Sequence, residues 1–222
     1  MSKLNSFNMT RLAVHGWLGI AFMTCLSARA ESAQQVLTMQ THAAFFSTEM
    51  HQKIALDPQV FILEPTAPAA VGAQGIKHLA GLRNALMTDA PNLPLLDASG
   101  RALGMTLGAW LGAKGDVIFS TQANGQQKVT LILSGLKPKG HYSLFENHFD
   151  QKPLGFTPLD GDGVDNDFIA DNNGKAVVNT VAPTPLTHAN AVLLVYHSDQ
   201  KSHGKLRGEI GSNAFHQLIV RP

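Results

Sequence analysis

The sequence contains a single cysteine and few charged residues. Cys25 lies in an N-terminal segment that we expect to be cleaved, so the mature chain would have no disulfide and would depend on its apolar core. Charged residues make up 15% of the chain, below the average of roughly 25% for globular proteins. A surface with little charge and many Ser, Thr, Asn and Gln side chains is common in secreted β-proteins.

The first 30 residues have the three parts of a secretory signal peptide. Lys3 and Arg11 supply positive charge, residues 17–26 (WLGIAFMTCL) form an apolar run, and residues 27–30 (SARA) place small residues before the cleavage site. A membrane anchor is one alternative, but this run is about half of the roughly 20 residues that a span requires. Lipid attachment at Cys25 is another, although the residue directly before it is not small enough for that signal. The pattern predicts an exported protein, periplasmic or secreted, with no transmembrane segment after cleavage.

Cleavage before Glu31 would also change the charge of the chain. The complete sequence has a net charge of +1, whereas the mature chain would have 14 basic and 16 acidic side chains, a net charge of −2. Nucleic-acid-binding domains carry basic patches, and no such patch is present. We therefore expect no nucleic-acid partner, and we expect a protein or a small molecule as the ligand.

From about residue 95 onward, short runs of β-branched and aliphatic residues alternate with Gly, Pro, Asn and Asp at intervals near ten residues. This pattern predicts a mainly β chain folded as an antiparallel β-sandwich of about seven strands with Greek-key-like order. The predicted strands are 103–111, 116–121, 127–133, 141–149, 175–181, 192–198 and 215–220. The predicted core includes Val129, Leu131, Leu133, Leu193 and Val195.

Residues 31–94 have a different pattern and are predicted to form a helical or irregular extension of the sandwich domain at 95–222. Apolar residues recur about every four positions within 41–56, which predicts a helix. A Pro-, Ala- and Gly-rich loop follows at 64–75. The spacing of leucines within 76–88 predicts a second short helix.

Several short motifs lie between Trp110 and the C-terminus. They are Ser134-Gly135-Leu136-x-Pro138-x-Gly140-x-Tyr142, Phe168-x-Ala170-Asp171-x-Asn173-Gly174, Tyr196-His197-Ser198-Asp199 and His216-Gln217-Leu218. Together with a tryptophan strand, they resemble the motifs of a family of exported bacterial and archaeal proteins that has no established activity. The resemblance covers about half of the chain. It implies an exported all-β domain and names no catalytic residue.

The segment 191–220 contains three of the ten histidines of the chain: His197, His203 and His216. Its pattern predicts two strands joined by a polar, glycine-bearing loop. Because side chains alternate along a strand, the two strand histidines lie on apolar faces. The neighbours on these faces are Leu193 and Val195 for His197, and Leu218 and Val220 for His216. Each is either a hydrogen-bonded core histidine or a metal ligand.

If the segment 191–220 binds a metal ion, it offers four candidate ligands. If its two strands are adjacent, His197 and His216 approach one point, and the loop adds Asp199 and His203. Neutral imidazoles favour copper or zinc, and affinity should fall on acidification through about pH 6.5. The His-x-His strand pattern of copper–zinc dismutases is absent, so that activity is not expected.

Hydrolase chemistry is not expected from Tyr196-His197-Ser198-Asp199. Neighbouring residues of a strand point to opposite faces, so His197 and Ser198 cannot face each other as a local unit. The sequence also has no Gly-x-Ser-x-Gly elbow. Whether the protein is an enzyme stays open, and the absence of these motifs favours a non-enzymatic role.

The acidic run 160–167 (DGDGVDND) is a second candidate metal site. Its four carboxylates are Asp160, Asp162, Asp165 and Asp167. Calcium binds six to eight oxygens, but this spacing is not that of an EF-hand. The alternative is a solvated turn in which Asp and Asn tolerate turn geometry. The order of expectation for a cofactor is therefore copper or zinc, then calcium.

Two functions follow from these observations. The first is an exported non-enzymatic binding or interaction domain of unknown ligand. The alternative is a periplasmic metal-binding protein or metal-dependent enzyme that uses the histidines of 191–220.

Overall fold

A computed structural model describes residues 34–222 of the protein. The expected signal peptide at 1–30 and its cleavage site lie outside the described residues. The strands of the described part are β1 (Gln34–Thr38), β2 (Gln40–Thr41), β3 (Leu56–Leu63), β4 (Ala70–Val71), β5 (Lys77–His78), β6 (Leu82–Leu86), β7 (Pro94–Leu96), β8 (Ala102–Thr106), β9 (Lys114–Thr121), β10 (Gln127–Ser134), β11 (His141–His148), β12 (Gly155–Pro158), β13 (Asp167–Ile169), β14 (Ala176–Ala182), β15 (Asn190–His197) and β16 (Ala214–Val220). The helices are α1 (His42–Glu49) and α2 (Leu107–Leu111).

Two antiparallel sheets form the body of the fold. The first has the strand order β1-β9-β10-β14, and the second has the order β12-β11-β15-β16-β2, with β13 also paired to β11. Val129 and Leu131 of the first sheet share one buried cluster with Leu144 and Tyr196 of the second. The prediction of a mainly β, antiparallel, sandwich-like fold is confirmed.

The second sheet is buried on both faces. In β15, Leu194 and Tyr196 join the central core between the sheets. Leu193 and Val195 belong to a separate cluster on the opposite face, together with Phe45 of α1. A strand covered on both sides is apolar at successive positions, which explains the continuous apolar run in 191–196.

Most of the predicted strands are present. Those predicted at 116–121, 127–133, 141–149, 175–181, 192–198 and 215–220 match β9, β10, β11, β14, β15 and β16 within two residues at each end. The strand predicted over 103–111 is wrong in its second half, which forms α2. The hydroxyl of Thr106 accepts from the backbone N–H of Ala109 and begins the helix.

The second predicted helix, over 76–88, is absent, and β5 and β6 occupy this segment. Leu79 is 57% exposed whereas Leu82 is buried, so the leucines do not share one face. Gly81 between them has a φ of +81°, a backbone conformation that ends regular structure. The strands β6, β3, β7 and β8 form a third sheet that extends the core.

The first predicted helix is present but shorter than 41–56. It ends at Glu49: Phe45 and Phe46 are buried, whereas Met50 and Ile54, farther along the predicted face, are more than half exposed. Within the described residues, no helix has the length and apolar character needed to cross a membrane.

Two of the sequence motifs form a pair of packed turns. The backbone N–H of Leu136 donates to the carbonyl of Gly174 at 3.0 Å, and the Tyr142 hydroxyl accepts from the N–H of Lys137 at 2.9 Å. Gly174 has a φ of +68°, and a Cβ there would collide with the Leu136 carbonyl oxygen. These motif residues therefore have structural roles.

Candidate metal centre

The candidate site is built on His197, the last residue of β15. His197 lies directly opposite His141 of β11 and is fully buried. Its Nε2 lies 2.6 Å from the Oγ of Ser143 on β11. Its Nδ1 is buried and has no hydrogen-bond partner among residues 34–222. One ring nitrogen is thus anchored by a hydroxyl, and the other is free to bind.

Electrostatics keep the His197 ring neutral. The pKa of His197 is lowered to about 4, chiefly by burial and also by the nearby His203 and His141, against the opposite effect of Asp199 and Asp167. At neutral pH the ring therefore carries no charge. A neutral imidazole with an unpartnered nitrogen is the form that binds metal ions.

Asp199 and His203 come from the loop that follows β15. The Nε2 of His203 lies 3.1 Å from Oδ2 of Asp199, and the side-chain amide of Asn213 donates to the same oxygen at 3.3 Å. The side chains of Asp199 and His203 are 28% and 21% exposed. The loop therefore presents an oriented carboxylate and a second imidazole at the edge of the buried histidine.

Potential ligand atoms of His197, Asp199 and His203 all lie within 4.8 Å of one another. They form the one such group of three or more His, Cys, Asp or Glu residues in the described part of the chain. With metal–ligand bonds of 2.0–2.1 Å, ligands of a tetrahedral zinc ion lie roughly 3.3 Å apart. The Asp199–His203 pair, at 3.1 Å, is already close to this separation.

The site also has a path to solvent. His203 lines a surface cavity of about 550 Å³ together with Lys205, Arg207 and Asn213. The buried His197 lies behind His203, with ring centroids 5.0 Å apart. Of the three residues, only His203 lines this cavity, so an ion that enters from it meets His203 first.

The strands β15 and β16 are adjacent as expected, but the structure does not bring His216 into the group formed by His197, Asp199 and His203. A β-bulge lies between the pairs Leu194–Leu218 and Val195–His216. The extra residue, Gln217, donates to the carbonyl of Trp110 in the central core. The bulge moves His216 from the face of Leu218 to the face of Val195 and His197. His216 nevertheless lies opposite Val195, two positions from His197 along β15, and its ring packs on His42 instead.

His216 forms a different contact, with a residue far away in the sequence. Its ring packs edge to face on His42 of α1, with centroids 4.7 Å apart, and its Nδ1 lies 3.4 Å from the Nε2 of His42. Its backbone N–H donates to Oε1 of Gln59. Burial, His42 and Arg207 hold the pKa of His216 well below its usual value.

The acidic run 160–167 is organised as a turn. The carboxylate of Asp160 accepts backbone N–H groups of residues 163, 164 and 165. Burial raises the pKa of Asp160, but these hydrogen bonds outweigh it and leave the pKa below its ordinary value. Asp167 lies instead 3.1 Å from His141. Asp160, Asp162, Asp165 and Asp167 do not converge in the structure, and calcium binding stays an untested prediction.

Sequence reasoning missed two neighbours of the site, His141 and Ser143. Both lie on β11, which pairs with β15 through the register His141↔His197. The strand itself was predicted, and its alternation places positions 141 and 143 on one face. Only the pairing of β11 with β15 brings that face to His197, and the sequence contains no signal for this pairing.

No protein-family model matches this chain, and no curated protein matches it. The resemblance of residues 110–222 to a family of exported proteins therefore stays a prediction from the motifs.

Proposed function

We propose that this is an exported transition-metal-binding protein that holds a zinc or copper ion through His197, Asp199 and His203. The observation that carries the proposal is the convergence of these three side chains within 4.8 Å, around a buried histidine whose Nδ1 has no partner. Two imidazoles and one carboxylate suit zinc or copper better than calcium. The three side chains leave a further position for water.

The proposed role is binding without turnover. The hydroxyl that contacts His197 belongs to Ser143, which is 3% exposed. A nucleophile must reach its substrate, and neither Ser143 nor His197 is accessible to one. Ser198, the neighbour in sequence, instead donates to the carbonyl of Ser212. The Ser143–His197 contact therefore serves to orient the imidazole, as outer-shell partners of metal ligands do.

Calorimetric titration of chelator-treated protein with Zn²⁺ and Cu²⁺ tests the proposal. The wild type should bind one ion of at least one of these metals. His203→Asn should weaken binding by more than the roughly 10–100-fold that loss of an outer-shell partner costs, because it removes a direct ligand from a partly exposed loop. His197→Asn should do the same, with circular dichroism to check its fold.

His51→Asn is the matched control. His51 is exposed and has a φ of +50°, a conformation that Asn tolerates well. This change removes a histidine without touching the site, so affinity should stay within about twofold, a free-energy change of roughly 0.4 kcal/mol. Equal metal binding by the wild type and His203→Asn, or no binding by either, contradicts the proposal.

A further inference from the structure

A cavity of about 490 Å³ lies between α1 and the second sheet, on the face of that sheet that packs against Phe45. This volume falls within the range of roughly 300–1,000 Å³ typical of small-molecule sites. Four phenylalanines form much of its wall: Phe45, Phe46, Phe149 and Phe156. It contains none of the three proposed metal ligands.

The cavity wall carries an unusual concentration of unpaired polar atoms. Nine buried side-chain N or O atoms have no hydrogen-bond partner in the described part of the chain, and four of them belong to residues of this wall. The four are Nδ1 of His42, Nε2 of His216, Oδ1 of Asn147 and Nε of Arg207. His42, Asn147 and His216 are all at least nine-tenths buried. Buried polar groups normally have partners, so this wall is suited to a polar group of a ligand.

The two histidines can offer that group a hydrogen-bond donor. Burial lowers the pKa of His42 to about 3, so both rings are neutral at neutral pH. When one neutral ring donates to the other across the 3.4 Å contact, the outer nitrogens of the pair are one N–H donor and one acceptor. In either arrangement, one of the two outer nitrogens, Nδ1 of His42 or Nε2 of His216, carries an N–H group that can donate to a ligand.

Arg207 adds a positive charge. Its guanidinium lies 3.6 Å from the centre of the Phe156 ring, and no carboxylate of residues 34–222 lies within 4.0 Å of it as an ion-pair partner. Burial lowers the pKa of Arg207 to about 10, which leaves it charged at neutral pH. The one acid of the wall, Glu49, is half exposed and lies 4.0 Å from Arg221 instead.

We propose that this cavity binds a small monocarboxylate with an apolar body. The carboxylate accepts hydrogen bonds from Arg207 and from the outer donor of the His42–His216 pair, and the body packs on the phenylalanine wall. An arginine fork beside a ring of aromatic residues matches this combination of one anionic end and one apolar end. The proposal is independent of metal binding, because the two sites use different side chains.

Calorimetry on chelator-treated protein tests this with two acids, 4-phenylbutyrate and decanoate, and with the neutral amide of each. At least one acid should bind, and it should bind about tenfold or more tightly than its amide, since a hydrogen bond to a charged group contributes roughly 1.5–3 kcal/mol. The acid that binds more tightly distinguishes an aromatic ligand from an aliphatic one. This comparison needs no variant.

Arg207→Gln should weaken acid binding about tenfold or more and leave amide binding unchanged. Lys205→Gln is the matched control, since Lys205 is a nearby cation that does not line this cavity. His197→Asn should bind the acid like the wild type, which separates this site from the metal site. No binding of either acid at about 1 mM, equal affinity for acid and amide, or full acid binding by Arg207→Gln would overturn the proposal.

Discussion

His141 and His197 face each other across β11 and β15, with ring centroids 6.3 Å apart and with each ring anchored on a different side chain. The Nε2 of His141 lies 3.1 Å from Asp167, and the Nε2 of His197 lies 2.6 Å from Ser143. The Nδ1 atoms of both rings have no partner in residues 34–222. The sheet thus holds two neighbouring, oriented imidazoles, each with one unpartnered nitrogen.

Ser143→Ala should weaken zinc or copper binding by about 10–100-fold without abolishing it. The hydroxyl holds the His197 ring through Nε2, and without it the ring loses its fixed orientation. Competition with a chromogenic chelator gives the affinity. Ser198→Ala is the control, because Ser198 directly follows His197 after the end of β15 and its hydroxyl donates to the Ser212 carbonyl. Equal metal affinity of Ser143→Ala and Ser198→Ala would contradict an orienting role for Ser143.

Leu131→Ala should lower the free energy of unfolding by about 2–5 kcal/mol. Leu131 is fully buried between the two sheets, and the chain beyond residue 25 has no cysteine to form a disulfide. Its neighbour Ile132 points to the other face of β10 and is 49% exposed. Ile132→Ala should therefore cost less than about 1 kcal/mol. Urea unfolding of both variants measures the difference. Equal losses of unfolding free energy would contradict the assignment of Leu131 to the core and of Ile132 to the exposed face.

The stability of the protein should decrease in acid because of His42. Burial, and then Arg207, lowers its pKa from 6.5 to about 3. Because the folded pKa lies below the unfolded pKa, His42 stabilises the fold above about pH 6.5, and this contribution is lost as the pH falls towards 3. Each pH unit corresponds to about 1.4 kcal/mol, so about 3 kcal/mol should be lost by pH 4.

Asp57 acts in the opposite direction. Burial raises its pKa from 3.8 to about 6, against hydrogen bonds from the N–H groups of Gln59, Trp110 and Val60. Its contribution to stability is present below about pH 3.8 and is lost as the pH rises through 6.

Urea unfolding of His42→Gln between pH 7 and pH 4 measures the contribution of His42 separately from that of Asp57. The variant should lose about 3 kcal/mol less than the wild type over this interval, and an unchanged pH dependence would argue against the role of His42.

The sequence predicted the strands that have regular alternation and clear turns. In β10, Val129, Leu131 and Leu133 alternate with polar or exposed residues and are all buried, as expected. The same reasoning failed at β16. Alternation assumes that every residue has a partner across the ladder, and the bulge at Gln217 breaks that assumption and moves His216 to the other face.

Three of the four predicted transition-metal ligands converge because they are close in sequence and share one strand and its loop. The remaining partners of the histidines depend on long-range pairing. His42 meets His216 from 174 positions away, and Ser143 meets His197 from 54 positions away. No local periodicity encodes these contacts, since they arise from the order of strands in the sheet and from the docking of α1.

An anomalous difference map from crystals of the zinc-loaded protein, collected at the zinc absorption edge, tests the central claim most directly. We expect one peak bonded to His197, Asp199 and His203, with zinc–nitrogen distances of about 2.0–2.1 Å. The same map from His203→Asn crystals should show that peak much reduced. A peak that lies elsewhere, or a map with no peak at these three side chains, would contradict the metal-binding function.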